Sequence, residues 1–209
     1  KLLAYRDTLT SLPNRLLFAD RLEQAVLRAE RSRTALALML IDIDDFKLVN
    51  DSFGHDAGDK LIRAVGQLIS KSLRRADTIA RLGGDEFAVI IEGIDSPEDA
   101  ISIADNLTTI LEHNVRLDDQ ETYTSASIGI AVYPDDGKDA STLLKNADTA
   151  MFRAKENGRH CFQFYKPEMS VTAMERLELE NSLKAAFEND EFLIHYQPVI
   201  DITKNEIVG

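Results

Sequence analysis

The chain has 209 residues, 44% of them hydrophobic, with a single cysteine and a formal charge of −12 from 36 acidic and 24 basic residues. That length suits one full domain plus a remnant, or two small domains, with enough apolar material for a sizeable core. The charge excludes general binding to a nucleic-acid backbone, which needs clustered Lys and Arg, and the lone Cys161 excludes an internal disulfide or a cysteine zinc cluster.

A reducing, cytoplasmic setting fits this cysteine usage. No apolar run approaches the roughly 20 residues needed to span a bilayer, and the charged start "KLLAYRD" is no signal peptide. The expectation is a soluble segment, with any membrane anchor of the full-length protein upstream of Lys1.

From Asn14, the residues Phe18, Leu22, Ala25, Val26 and Ala29 recur at helical spacing after the turn and cap residues "SLPN", which predicts a helix to about Arg31. "ALALMLIDID" begins as a continuous apolar run, as in a strand buried on both faces, and ends in acid at Asp42. A second helix follows Gly54, with Leu61, Val65, Leu68 and Ile69 on one side. "DTIARL" and "EFAVIIE" flank Gly83-Gly84, a pair that tolerates the positive φ of a tight hairpin, so two antiparallel strands are predicted. In "DSPEDAISIADNLTTIL", Ser96 as N-cap, Pro97 at the first helical position and acids in the first turn predict another helix. Alternating Ala126, Ile128, Ile130 and Val132 predict a strand ending at Pro134, and Leu143, Ala147, Ala150 and Ala154 a helix stopping near Gly158. "CFQFY" is a short last strand. The order matches an elaborated ferredoxin-like α+β sandwich, a mainly antiparallel five-stranded sheet surrounded by helices. After Lys166 a long charged helix, about Pro167 to Asn189, leads to two strands around a Lys204-Asn205 turn. The expected organisation is one domain over 1–166 and a linker helix with strands over 167–209.

In that topology the first strand pairs with the second hairpin strand, so Asp42 lies beside Asp85 and Glu86. Three converging carboxylates repel one another unless neutralised, and hard divalent cations shared with nucleotide phosphates are the usual neutraliser. The simpler alternative stays open: Asp42, Asp44 and Asp45 as solvated loop and cap acids, Asp85 and Glu86 as a polar hairpin end. Other motifs fail on spacing. "DIDDFKLVNDSFG" puts Lys47 where a calcium loop turns on glycine. "GHDAGDK" has three residues between Gly54 and Gly58, and Asp59 precedes Lys60, so it is not a Walker A loop. His55-Asp56 lacks the companion histidines of a metal-dependent phosphohydrolase.

The ordered segments "DTLTSLPNR", "DIDDFKLVND", "GHDAGDKLI", "RLGGDEF", "SIGIAVYP" and "ADTAMFRAKENGR" together resemble the GGDEF diguanylate cyclase family over roughly residues 7 to 165. The terminal "LKAAFENDEFLIHYQPVIDITKNEIVG" resembles the start of an EAL phosphodiesterase domain, so the chain looks like part of a GGDEF-EAL tandem protein. The resemblance implies a nucleotide-cyclase-like sandwich that condenses two GTP into cyclic di-GMP with release of pyrophosphate, as a homodimer of GTP-loaded domains in bacterial second-messenger signalling. It further implies Mg2+, with Mn2+ as an alternative, held by Asp42, Asp85 and the Ile43 carbonyl. Glu86 would be a further ligand or would help deprotonate the attacking 3′-hydroxyl. Asn50 and Asp59 match the guanine readers: a carboxylate accepts from both N1-H and the N2 amine, an adjacent donor pair that adenine lacks. The alternatives are a loop amide and a first-turn acid favoured by the helix dipole. Lys155 and Arg159 match phosphate contacts, against the alternative of cations favoured at a helix C-terminus. Gly83 and Gly84 let the backbone approach the nucleotide, while Phe46 and Lys47, and more weakly Arg81, belong near the phosphates. Arg74 and Asp77, with Arg74 nine residues before Gly83, fit the RxxD site for inhibitory product. The competing expectation is a catalytically silent module that binds GTP or cyclic di-GMP and regulates a C-terminal EAL phosphodiesterase.

Overall fold

The computed structural model describes residues 2–117 and 120–170 and, beyond them, positions 182, 186–187, 189, 191–193, 195, 198, 200–201, 203–204 and 206–207. The chain divides into two compact units, Lys1–Ser170 and Val171–Gly209.

In the first unit, α1 (Arg15–Ser32) starts where the Asn14 side chain accepts a hydrogen bond from the Leu17 amide at 3.1 Å. It buries Phe18, Leu22, Ala25, Val26 and Ala29, the face that periodicity predicts. β1 (Ala35–Ile43) is buried from Leu36 onward because strands flank both its edges and helices cover both its faces, which is why its sequence is a continuous apolar run. After it come α2 (Phe46–Phe53) and α3 (His55–Ser72), then the hairpin β2 (Thr78–Gly83) and β3 (Glu86–Ile94). α4 (Pro97–Leu111) is preceded by an acidic cap: Asp99 accepts from the amides of Asp95 at 2.9 Å and Ser96 at 3.2 Å. A small hairpin, β4 (His113–Leu117) with β5 (Gln120–Thr124), leads into β6 (Ala126–Tyr133), α5 (Ala140–Glu156) and β7 (Phe162–Phe164).

The main sheet has the order β2-β3-β1-β6-β7, antiparallel except for the β6–β7 pair. The fold is therefore α+β with a mixed five-stranded sheet between helices. Alternate residues of β1 feed two cores. Met39, Ile41 and Ile43 join α3 and α4 on one face, and Leu36, Leu38 and Leu40 join α1 and α5 on the other. By the same alternation Asp42 belongs to the α1/α5 face. α5 lies tight against β6 at Gly129, where a Cβ would overlap the Ala147 carbonyl oxygen and the Met151 amide. That close approach needs glycine and brings the end of α5 to the end of β1.

Two elements were not expected from sequence. α2 buries only Val49, and although Phe46, Val49 and Phe53 keep helical spacing, eight residues are too short a window for that period to stand out. The β4–β5 pair lies outside the main sheet, and its polar sequence shows no alternation.

In the second unit, β8 (Ile200–Asp201) pairs antiparallel with β9 (Glu206–Ile207), and Thr203 and Lys204 form a turn. Residues 167–170 are helical; the rest of the predicted connecting helix lies largely outside the described residues, as does Asn205 of the predicted turn.

Candidate active site

The hairpin between β2 and β3 turns on Gly83 (φ 146°) and Gly84 (φ 52°), a backbone that side-chain-bearing residues rarely adopt. Its conformation is braced from outside the sheet. Arg81 donates from Nε and Nη2 to the Gly84 carbonyl at 3.0 and 2.7 Å, and from Nη1 to both Asp7 carboxylate oxygens at 3.1 and 3.0 Å. Asp7 also accepts from the Thr10 amide at 2.8 Å and the Thr10 hydroxyl at 2.7 Å. Burial would raise the Asp7 carboxyl, yet the bonds from Thr10 and Arg81 outweigh it and hold it below its ordinary range. Arg81, expected near the phosphates, is thus committed to fixing the turn through "DTLTSLPNR".

The register places Asp42 opposite Glu86 on one side and Ser127 on the other, and the Ile43 amide donates to the Asp85 carbonyl at 3.3 Å. Asp42 is buried, and burial pushes its carboxyl up to about 6, with the Lys155 hydrogen bond opposing and the Asp85 and Glu86 charges reinforcing. Lys155, on the last turn of α5, brings Nζ to 2.7 Å from Asp42 Oδ2. A helix dipole alone would leave this ammonium in solvent, whereas here it is turned onto the end of β1. Glu86 faces Arg15, whose Nη2 lies 3.4 Å from Oε2 while Nε donates to the Leu82 carbonyl at 3.3 Å. Arg15 was not singled out from sequence, although it closes the "DTLTSLPNR" segment.

Among the described residues, no three acidic, imidazole or thiol side chains stand together as a ready-made metal cage. The convergence of three carboxylates is therefore looser than expected. The donor set nevertheless suits magnesium, which takes one or two carboxylates and completes its shell with water and substrate phosphates. Asp42 is the observation that carries the fit: a carboxylate made costly chiefly by burial, and further by the Asp85 and Glu86 charges, gains from a compact cation.

Asn50 and Asp59 come from α2 and α3. A Cβ on Gly58 would overlap Asn50 Oδ1 and come within 3.1 Å of Phe46 Cζ, so glycine in the first turn of α3 is what lets Asn50 and Phe46 close on that helix. Asp59 follows, half-buried in the second turn of α3. The dipole alternative for Asp59 weakens, since that effect fades beyond the first turn. Lys47 is exposed on α2.

Asp44 reverses the sequence expectation of a solvated acid. It is buried, accepting the Ser125 and Ser127 hydroxyls at 2.6 Å each and the His160 amide at 3.1 Å. It ties the end of β1 to the start of β6 and to the turn after α5, where Gly158, Arg159 and His160 all have positive φ. Arg159 projects from that turn, with Nε 3.7 Å from Asp45 Oδ1.

Arg74 and Asp77 form a separate turn before β2. The Asp77 carboxylate accepts the Arg74 amide at 2.9 Å, and the Asp77 amide donates to the Arg74 carbonyl at 3.0 Å. β2 then runs from Thr78 to the hairpin, so the turn lies at the opposite end of the sheet from Asp85. Among the described residues, no helix is long and apolar enough to cross a membrane.

Comparison with known proteins agrees with this arrangement. The family model for the diguanylate cyclase GGDEF domain matches residues 4–161. The chain is 42% identical over 207 residues to the bifunctional diguanylate cyclase/cyclic di-GMP phosphodiesterase MucR of Pseudomonas aeruginosa, covering 99% of this chain and 30% of MucR. It is 40% identical over 200 residues to the cyclic di-GMP phosphodiesterase PdeR of Escherichia coli, covering 96% of this chain and 30% of PdeR. The chain thus spans about a third of the length of these relatives. Among solved structures, the isolated GGDEF domain of TpbB (YfiN) from Pseudomonas aeruginosa superposes with a TM-score of 0.79 at 40% identity, covering 81% of this chain and 99% of that one. With the hairpin, the buried acid and the family match in agreement, the chain belongs to the GGDEF diguanylate cyclase family.

Proposed function

We propose that residues 1–166 form a diguanylate cyclase domain that joins two GTP into cyclic di-GMP and releases pyrophosphate, each of two facing domains holding one GTP. The observation that carries this reading is Asp42, buried beside Asp85 and Glu86 with Lys155 at 2.7 Å. Asp42, Asp85 and the Ile43 carbonyl would hold Mg2+ or Mn2+, and Glu86 would join them or take the proton from the attacking 3′-hydroxyl. A bound divalent cation would neutralise charge on the attacked α-phosphate and the departing pyrophosphate. Lys155 and Arg159 would bind phosphate oxygens, with Lys155 moving from Asp42 to the substrate. Gly83 and Gly84 would let the protein backbone approach the nucleotide with no Cβ in the way, and Phe46 and Lys47 would lie close to the phosphates. Asn50 and Asp59 would read guanine; an unpaired carboxylate then disfavours ATP. Arg74 and Asp77 would bind product as an inhibitory site.

We further propose that residues 167–209 begin an EAL domain, because MucR, a bifunctional cyclase and phosphodiesterase, aligns over 99% of this chain. PdeR is a phosphodiesterase and aligns over 96% of it, which favours a second reading: a silent domain that binds GTP or product and regulates its neighbour. Incubating the full-length protein with GTP and magnesium and identifying the guanine nucleotides decides between them. Cyclic di-GMP that disappears in Asp85→Ala supports the cyclase; GTP binding without product rejects it in favour of the regulatory module.

A further inference from the structure

Glu92, on β3 at the sheet end opposite the hairpin, forms a wall shared by two grooves. One, of about 270 Å3, is lined by Arg28, Ser32, Thr34 and Glu92. The other, of about 170 Å3, is lined by Arg74, Glu92, Asp95, Asp99 and Ser102. Arg28 reaches across from α1 and forks onto Glu92, with Nε 2.9 Å from Oε2 and Nη2 2.8 Å from Oε1. The β2–β3 register pairs Thr78 with Ile90, which sets Asp77 alongside the Ile91–Glu92 end of β3. A ligand carrying phosphates that enters the Arg74 groove therefore meets an acidic wall of Glu92, Asp95 and Asp99, and the guanidinium beyond Glu92 is already engaged.

We propose that Glu92 sets the affinity of the Arg74–Asp77 site for a phosphodiester-linked guanine dinucleotide, by holding Arg28 in a bidentate pair and keeping its guanidinium from the ligand's phosphate. This rests on the reading of Arg74 and Asp77 as a product site. Two electrostatic effects agree with the geometry. The Arg28 guanidinium is held above its ordinary range chiefly by the Glu92 hydrogen bond. The Asp77 carboxyl is raised first by burial and further by the Glu92 charge, with Arg74 opposing. Both partners of the pair retain solvent contact, at 49% for Arg28 and 29% for Glu92, so the pair is one that a competing dianion can reach. A phosphate competes well for a forked guanidinium, because its oxygens match the same two donors. With Glu92 in place, the dinucleotide must displace a carboxylate that is tethered to the wall.

Calorimetric titration of cyclic di-GMP into the full-length protein tests this. Glu92→Gln keeps the shape, removes the charge and releases Arg28; it should tighten binding about fivefold to tenfold at low salt, with the gain shrinking as salt screens it. Glu92→Ala should move affinity the same way, and adding Arg28→Ala to Glu92→Gln should return it to the wild-type value. Unchanged or weaker binding in both Glu92 variants, with wild-type binding still lost in Arg74→Ala, overturns the role of Glu92 and leaves the product site standing. Binding that ignores Arg74→Ala, or no binding at all, overturns the product site and the Glu92 role together.

Discussion

Asp42 is the residue at which folding and chemistry oppose each other. Its carboxyl is raised from 3.8 to about 6 in the folded chain, chiefly by burial. The folded state therefore binds a proton more tightly than the unfolded state. The stability tied to that proton is present below about pH 4 and is lost as pH rises through about 6. Asp42→Asn removes the cost of ionisation and also the Lys155 partner, and Lys155 can turn to water because its side chain is 33% exposed. We expect burial to win: urea unfolding should show Asp42→Asn gaining about 1–2 kcal/mol over wild type at pH 8 relative to pH 5, while GTP turnover is lost. A variant less stable than wild type at pH 8 by a larger margin than at pH 5 would mean that the Lys155 pair outweighs burial. Asp44, two residues on, behaves oppositely. Two hydroxyls and one amide depend on its oxygens, so Asp44→Ala should cost about 2–4 kcal/mol in the same assay. A loss below about 0.5 kcal/mol would show that water replaces it without penalty. Strand pairing singled out Asp42 from sequence, but nothing in "DIDD" shows that the carboxylate two residues on meets serines brought over from β6.

At the scale of elements, the sequence was informative where burial imposes a period and silent where it does not. β1 reads as buried because neighbours cover both faces, and the β2–β3 hairpin reads from two glycines with positive φ. α2 escapes because two turns give the helical spacing of Phe46, Val49 and Phe53 too little length to register. Yet α2 matters to the site, since its Phe46 and Asn50 close onto α3 only because residue 58 has no Cβ. Gly58→Ala provides a test that separates site from fold. In an exposed helix, Ala would stabilise by about 1 kcal/mol over Gly; here the added methyl must displace Asn50 or Phe46. We expect a melting temperature within about 4 °C of wild type and an affinity for GTP at least about tenfold weaker, from a lost guanine contact of about 1.4 kcal/mol. Wild-type GTP affinity in that variant would remove Asn50 from the guanine site.

The molecule as a whole is a first compact unit, Lys1–Ser170, followed by a second, Val171–Gly209. Among the described residues, both hydrophobic clusters, with the half-buried residues packed against them, are drawn from residues up to Phe164. The stretch after Lys166 is still anchored to that unit, through Tyr165 Oη 2.9 Å from Ser170 Oγ and Arg153 Nη2 3.4 Å from the Met169 carbonyl. Sequence placed the boundary at Lys166 because the composition turns charged there, and these two contacts leave no trace in composition. Beyond Ser170 the described pairing is two residues from each of β8 and β9, and a lone two-stranded pair is marginal in water. A chain ending at Ser170 should therefore melt within about 2 °C of the 209-residue chain and bind GTP equally well, whereas one ending at Lys166 should melt about 2–5 °C lower through loss of the Ser170 and Met169 contacts. Differential scanning calorimetry of the three lengths decides it. Equal melting of the two shorter chains would show that the anchoring contacts contribute nothing, and a large drop for the chain ending at Ser170 would show that the first unit depends on residues of the second.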